Sequence, residues 1–230
     1  MSAPVAWTDG PTAMRVTLDL VAPALRGAAA RLWRPSGLTE RYPAYLAAMY
    51  AVIRASVPLM EAAARRCTES SGALERRLRE YLEEHIAEER DHDEWLLADL
   101  AAVGVDPETV RRALPDVAVA RMVGAQYYWI HHHHPVGLLG YVAVLEGNAP
   151  SPLLAEHLAA ATGLPDAAFR TVRHHAVLDL DHSAAIDRLL DELPLTAWHT
   201  TAVNVSALST VETLVDLYTR LGGSDDRPTA

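Results

Sequence analysis

Residues 172–186 read VRHHAVLDLDHSAAI and carry the strongest structural pattern in the chain. At about 100° per residue, His175, Asp179 and His182 fall on one helical face. That face continues in both directions with the apolar residues Ala168, Val172, Ile186, Leu190 and Leu193. An aliphatic helix face packs into a core. The segment is therefore predicted to be a helix that buries two imidazoles and a carboxylate.

Residues 82–96, LEEHIAEERDHDEWL, repeat this design. The middle of one helical face consists of His85, Glu89 and His92. All remaining positions of that face are aliphatic, namely Leu74, Leu78, Leu82, Leu96, Leu100 and Val103. The pattern predicts one long helix over residues 72–103, with its polar centre in the core.

A third predicted helix, over residues 136–147, ends its apolar face on Glu146. Leu139, Val142 and Ala143 share that face. Gly137 and Gly140 lack side chains, so a neighbouring helix is expected to approach closely there. Three core faces thus carry side chains of the kind that bind metal ions.

A buried carboxylate costs several kcal/mol unless it is paired or bound to a cation. The sequence places Arg66, Arg90 and Arg173 away from these faces, so no arginine partner is predicted for Glu89 or Asp179. Imidazole and carboxylate without thiolate suit iron or manganese, and zinc stays open. The alternative is a structural network of hydrogen-bonded core histidines.

Helical periodicity recurs along the whole chain, and no hairpin signal is present. The fold class predicted is all-α, a bundle of about seven main helices in a single domain over residues 1–222, followed by a disordered tail at 223–230. The individual helices are predicted near 13–32, 40–67, 72–103, 107–113, 116–131, 136–147, 151–162, 165–193 and 204–221. Pro23 is expected to interrupt the first, and Pro58 to kink or restart the second.

Composition excludes several classes of protein. The chain has 230 residues and a formal charge of −10, which disfavours nucleic acid and anionic membranes as partners. It contains no lysine, which excludes a Schiff-base lysine and a P-loop. Its single cysteine, Cys67, excludes an internal disulfide and a site of several thiolates.

The location and assembly of the protein are predicted from weaker signals. The first ten residues lack a basic segment of the signal-peptide type, and the longest charge-free apolar run, residues 135–145, is too short to span a bilayer. A cytoplasmic protein is predicted. The broad apolar face over 204–221 is predicted to cover the bundle or to contribute to a homodimer, the commonest soluble oligomer.

Taken together, Glu89-x2-His92, the segment GYVAVLEG at 140–147 and His175-x3-Asp179-x2-His182 resemble the haem-oxygenase-like di-iron oxidase and oxygenase superfamily, the iron-containing redox enzymes. The resemblance covers roughly residues 45–195. Ferritin-like bundles carry a second Glu-x2-His in place of the His-x3-Asp-x2-His element. The metal ligands that the resemblance implies are Glu61, Glu89, His92, Glu146, His175, Asp179 and His182. His85 would orient a ligand or line the pocket.

The resemblance also implies an activity. Such proteins bind two ferrous ions, often one of them weakly, and use O2 to oxidise a small molecule. N-oxygenation of an amine-bearing substrate in specialised metabolism is the first expectation, with an external electron donor. The alternatives are oxidative C–C cleavage or decarboxylation of an amino acid or fatty acid, and a metal-independent oxidase or binding protein of the same fold. The cysteine-dependent thiaminase-like branch is disfavoured because Cys67 lies by the wrong motif, and haem is disfavoured because no histidine precedes His85.

Overall fold

The structure, a computed structural model, describes residues 11–223 and the side chains from residue 14 onward. Within that range it is helical, with no strand. The helices are α1 (Pro11–Leu32), α2 (Leu38–Cys67), α3 (Ala73–Glu89), α4 (His92–Ala102), α5 (Pro107–Arg112), α6 (Val117–His132), α7 (Leu138–Glu146), α8 (Leu154–Thr162), α9 (Arg170–Glu192) and α10 (Ala197–Gly222). The predicted tail lies outside the described residues, apart from Gly223.

The all-α class is confirmed, but the number of helices exceeds the predicted seven. Ten α-helices are present in residues 11–223, nine of them with nine residues or more. One reason is that the long helix predicted over 72–103 breaks between α3 and α4. Arg90 is extended, and Asp91 has a left-handed φ of 69°. The helix predicted over 165–193 likewise begins with a short 3-10 turn, Asp166–Phe169, ahead of α9.

The proline residues do not divide their helices. α1 continues through Pro23, and α2 continues through both Pro43 and Pro58. The predicted interruption at Pro23 and a restart at Pro58 are therefore wrong. A proline removes one backbone hydrogen bond from a helix. α2 packs along its length against α3, α4 and α6, and this packing holds the helix together across the missing bonds.

α10 packs against α1, α6 and α7, and one glycine allows α7 to approach it closely. A Cβ atom on Gly140 would lie 2.2 Å from the carbonyl oxygen of Val203 and 2.7 Å from the backbone nitrogen of Ala207. The predicted close approach at Gly140 is confirmed. It fixes α7, and with it Glu146, against the C-terminal helix.

The core consists of two hydrophobic clusters, and the break between α3 and α4 lies between them. The leucines of α3, such as Leu78 and Leu82, belong to the first cluster, which includes α6, α7 and α10. The leucines of α4, such as Leu96 and Leu100, belong to the second, with the start of α2 and α8. The polar residues that the sequence places mid-helix thus lie at the junction of two apolar clusters.

α2 is the one helix in the described range that is long and apolar enough to cross a membrane, judged by length and composition alone. It packs against three other helices, and the side chains of Tyr42, Leu46 and Leu59 are fully buried. These contacts are those of a core helix in a globular bundle.

Candidate metal centre

The three polar faces meet in the structure. His85 and Glu89 come from α3, His92 from the first turn of α4, Glu146 from the last turn of α7, and the His-x3-Asp-x2-His element from α9. His85, His92, Glu146, Asp179 and His182 are buried. Within the described part of the chain no arginine lies within ion-pair distance of these carboxylates or of Glu89. The carboxylates are therefore not neutralised by guanidinium groups.

One group of possible ligand atoms comprises His85, Glu89, Glu146 and His182, all within 4.8 Å of one another. His85 Nε2 lies 2.6 Å from Glu146 Oε1. His182 Nδ1 lies 3.5 Å from Glu89 Oε1 and 3.8 Å from Glu146 Oε1. The rings of His85 and His182 meet edge to face, with centroids 4.6 Å apart. A single cation could reach these four side chains.

A second group comprises Glu89, His92 and His175, again within 4.8 Å of one another. His92 Nδ1 lies 3.1 Å from Glu89 Oε2, and the rings of His92 and His175 are 5.4 Å apart. Glu89 belongs to both groups, with one oxygen toward each. This is the position of a carboxylate that could bridge two metal ions.

A hydrogen bond to the backbone and a stacked aromatic ring fix the imidazoles of the second group. His175 Nδ1 donates to the carbonyl oxygen of Thr171 at 3.0 Å, which leaves Nε2 as its free nitrogen. Burial lowers the pKa of His175, so the ring is neutral and can act as a ligand. Trp95 stacks on His92, with ring centroids 4.0 Å apart.

The electrostatics of the site record a surplus of negative charge. Burial and, to a smaller extent, the neighbouring carboxylates of Glu146 and Glu89 together raise the pKa of Asp179 to about 8. Burial lowers the pKa of His85, but its hydrogen bond to Glu146 and the charges of Glu146, Glu89 and Glu88 outweigh that effect and raise it overall. Both shifts favour the protonated form, which is the direction expected where buried negative charge has no cation beside it.

Two buried polar atoms without hydrogen-bond partners indicate that these residues suit a metal ion. Glu146 Oε2 and His182 Nδ1 are buried and have no hydrogen-bond partner. A buried polar atom without a partner costs about 1–3 kcal/mol. Both belong to the first group, and both are of the kind that bind iron. The donor set fits a metal ion.

The structure does not bring Glu61 to this centre. Its side chain is 42% exposed and lies 3.9 Å from Arg65 Nη1. The adjacent Met60 lines the cavity instead. Neighbouring residues of a helix point about 100° apart, so the face of α2 that carries Met60 inward turns Glu61 away. Asp179 lies in neither ligand group, but it lines the same cavity as His85, Glu89, Glu146 and His175.

Sequence reasoning missed one acidic residue that contacts both outer imidazoles. Glu88 Oε2 lies 3.4 Å from His85 Nδ1 and 3.5 Å from His182 Nε2. In each ring the other nitrogen faces the ligand group. The spacing of three residues from His85 to Glu88 was an available signal.

The polar centre forms one wall of a cavity of about 500 Å³. Cys67 does not line this cavity, and burial raises the pKa of its thiol to about 12. A thiolate nucleophile is therefore not available there.

Comparisons with known proteins identify the fold and the family of the chain. No curated protein matches the chain. A solved domain of unknown function with a haem oxygenase-like fold, from Shewanella denitrificans OS217, has a TM-score of 0.64 and 19% identity, over 95% of this chain and 94% of that one. A TenA homologue from Pseudomonas syringae pv. tomato has a TM-score of 0.67 and 11% identity, over 96% and 98% of the two chains. These likenesses show the haem-oxygenase-like fold. The sequence model of a family described as iron-containing redox enzymes matches residues 43–213, so the chain belongs to that family.

Proposed function

We propose that this protein is a non-haem di-iron oxygenase or oxidase that uses O2 to oxidise a small molecule. The observation that carries the proposal is the position of Glu89. Its carboxylate is shared by two groups of ligand atoms, and no arginine in the described range neutralises the acids of these groups. Membership of a family of iron-containing redox enzymes supports iron as the metal.

The proposed ligands follow from the two groups. Glu89, His92 and His175 would hold one ion, and the other would be held by the first group. In that group His85 lies at ligand distance from its neighbours, so we propose it as a ligand rather than as the orienting residue the sequence predicted. Asp179 would complete either position by a rotation of its side chain. Glu61 is not among the proposed ligands, because its side chain is partly exposed and lies beside Arg65.

Charge counting supports this set. Two ferrous ions carry four positive charges, and Glu89, Glu146 and Asp179 supply three negative ones. Glu88 supplies the fourth from behind His85 and His182. A buried centre close to neutral is far less costly than one with a net charge.

When bound, ferrous ions supply the electrons that reduce O2, with an external donor to restore them. The protein itself provides the cavity and the fixed imidazoles. Neutral His175 keeps a lone pair available, and the apolar lining limits the access of water. We expect the protein to act in the cytoplasm as a homodimer, as the sequence predicts.

For the reaction, we propose N-oxygenation of an amine-bearing substrate. An apolar cavity favours the neutral form of an amine, and that form has the free electron pair to which oxygen is added. The second candidate is oxidative C–C cleavage of an amino acid or fatty acid. The aliphatic lining favours it, because such a surface binds a hydrocarbon chain.

The test is metal loading without oxygen. Metal-free protein is titrated anaerobically with ferrous iron, the bound iron is counted, and the sample is then mixed with O2 and followed for a transient visible absorbance. We expect two ions per chain and a transient. Glu89→Gln should bind less iron and give no transient, whereas the matched control Glu61→Gln should behave as the parent. One ion per chain, or an unchanged Glu89→Gln variant, would overturn the di-iron proposal.

A further inference from the structure

The cavity connects the buried polar wall to the protein surface. Its exposed lining residues are Arg26 on α1, and Asn148 and Ser151 in the loop between α7 and α8. Its buried polar lining, at the candidate metal centre, includes Glu146 and Asp179. Arg26 therefore lies where the cavity opens to solvent.

Most of the remaining lining of the cavity is aliphatic. It includes Leu25, Met49, Ile53, Leu138, Val142 and Leu214. A surface of this kind binds a hydrocarbon body, and each methylene group that it takes from water strengthens binding by about fourfold. The volume of about 500 Å³ lies in the range of natural small-molecule sites.

Arg26 is the one arginine that lines the cavity. Within residues 14–223, no acidic side chain lies within ion-pair distance of it, whereas Arg15 on the same helix pairs with Asp187 at 3.0 Å. A guanidinium group holds carboxylates through parallel hydrogen bonds. Arg26 thus presents an uncompensated positive charge at the entrance of a cavity.

Two tyrosines, Tyr45 and Tyr218, add hydrogen-bond donors to the lining of the cavity. Tyr45 lies between Trp33 and Tyr218, with ring centroids 4.7 Å and 6.4 Å away. Both tyrosines line the cavity, and in the described structure neither hydroxyl has a hydrogen-bond partner. A polar group of a bound molecule would satisfy them.

We infer that Arg26 binds the carboxylate of the substrate at the entrance, while the hydrocarbon body crosses the aliphatic part of the cavity. The opposite end of the substrate then faces the candidate metal centre. The substrate class is a carboxylic acid that is oxidised at a position remote from its carboxylate. The orientation of the substrate rests on the proposed function in one respect, namely which chemical group stands at the end that reacts. Under N-oxygenation that group is the amine.

Binding to the full-length protein, stripped of metal by a chelator, tests this inference. Without metal, a carboxylate has no ion to coordinate. Calorimetry would compare octanoate with 1-octanol and octylamine, and then with decanoate. We expect octanoate to bind about fivefold more tightly than 1-octanol. Each added methylene should give about a further fourfold until the cavity is full.

The variants locate the carboxylate. Arg26→Gln should bind octanoate and 1-octanol equally, and Arg26→Lys should retain part of the preference. The matched control is Arg31→Gln, because Arg31 is exposed on the same helix and does not line the cavity. It should keep the full preference. Tyr45→Phe should weaken octanoate binding about twofold to tenfold.

Three outcomes would overturn the inference: octylamine binds most tightly, Arg26→Gln keeps the preference for octanoate, or Arg31→Gln loses it. Circular dichroism of each variant checks that the fold is intact. Because no metal is present, a failure of iron loading leaves this result standing. Conversely, iron loading with no preference for carboxylates rejects the substrate class alone.

Discussion

The carboxylate of Glu88 lies 3.4 Å from Nδ1 of His85, on the side of the ring away from the candidate metal centre. The same oxygen lies 3.5 Å from Nε2 of His182. One exposed acid thus contacts the outer nitrogens of two buried imidazoles. A carboxylate in this position holds a ligand ring in its orientation and increases its basicity.

Glu88→Gln is expected to weaken metal binding at the group formed by His85 and His182 by about 10–100-fold. The amide keeps the shape of the side chain but loses the charge that both rings face. Anaerobic titration with ferrous or cobaltous ions would measure the affinity. Glu84→Gln is the matched control, since Glu84 is an exposed acid of the same helix, and it should bind metal normally. Equal affinities in the two variants would remove Glu88 from the site.

A second prediction separates the two ligand groups. Glu89→Ala should lose both ions, because Glu89 is common to both groups, whereas His92→Ala should lose only the ion it shares with His175. The measurement is the number of ions bound per chain. Fluorescence adds a local reading, since Trp95 stacks on His92 and its emission should respond to metal at that position. A His92→Ala variant that still binds two ions would contradict the grouping.

Much of this arrangement follows from periodicity in the sequence. His175, Asp179 and His182 were predicted on one face of a core helix, and α9 places Asp179 and His182 in the interior with Ile186. Gly140 was predicted to admit a close neighbour, and α10 is that neighbour. These predictions succeed because burial of an aliphatic face fixes how a helix is turned, and the polar residues on that face are carried inward with it.

Other features depend on tertiary contacts that periodicity does not report. The break at Asp91 separates two helices whose leucines pack into different clusters. The periodicity therefore predicts one continuous helix face where the structure has two. Glu61 lies on a helix that is apolar nearly all round, where the inward side is ambiguous. Glu88 lies on the solvent side of α3. Its carboxylate reaches the rings of His85 and His182 because the side chain is long and flexible.

In the metal-free protein, ionised Asp179 should destabilise the fold in a pH-dependent way, and Asp179→Asn should remove this effect. An unfolded aspartate releases its proton at about pH 3.9, but in the fold the pKa of Asp179 is raised to about 8. Between these two pH values the native state therefore binds more protons than the unfolded state. The contribution of Asp179 to the free energy of unfolding is thus most favourable at low pH and falls as the pH rises through this window.

Asp179→Asn keeps the shape without the charge, and should stabilise the metal-free protein by about 1–3 kcal/mol at pH 8, with little effect at pH 4. Thermal unfolding at the two pH values would measure the difference. The same variant should bind iron less well. An equal gain at both pH values would show that the charge of Asp179 is not the cause.

Asp99 anchors the start of α9 from outside the cavity. It is fully buried, and its Oδ2 accepts the backbone N–H of Thr171 at 2.9 Å. The carbonyl oxygen of Thr171 in turn accepts from His175 Nδ1. Asp99→Ala leaves a buried N–H without a partner, and should cost about 1–3 kcal/mol of stability.

The same variant should also lower the metal affinity of the group that contains His175, because the first turn of α9 is released. Urea unfolding and metal titration would be measured together. Tyr42→Phe is the comparison: it removes a neighbouring anchor, the bond from the Tyr42 hydroxyl to the carbonyl oxygen of Ala168 at 2.9 Å. It should lose stability while metal affinity is kept. A loss of affinity in Tyr42→Phe as large as in Asp99→Ala would point to a general loosening of the region.

The contact between α7 and α10 predicts that Gly140→Ala lowers the stability of the protein, whereas the control substitution Gly124→Ala should raise it. In Gly140→Ala the new methyl group would lie 2.2 Å from a backbone oxygen and 2.7 Å from a backbone nitrogen, so the helices must separate. The expected cost is about 3 kcal/mol or more. Glu146 would shift with α7, so the first ligand group should also bind metal more weakly. Gly124→Ala, in α6, meets nothing within 4 Å, and should stabilise the protein by about 0.5–1 kcal/mol through higher helix propensity. Chemical denaturation of both variants gives the two signs directly, and a Gly140→Ala variant as stable as the parent would contradict the packing of α7 on α10.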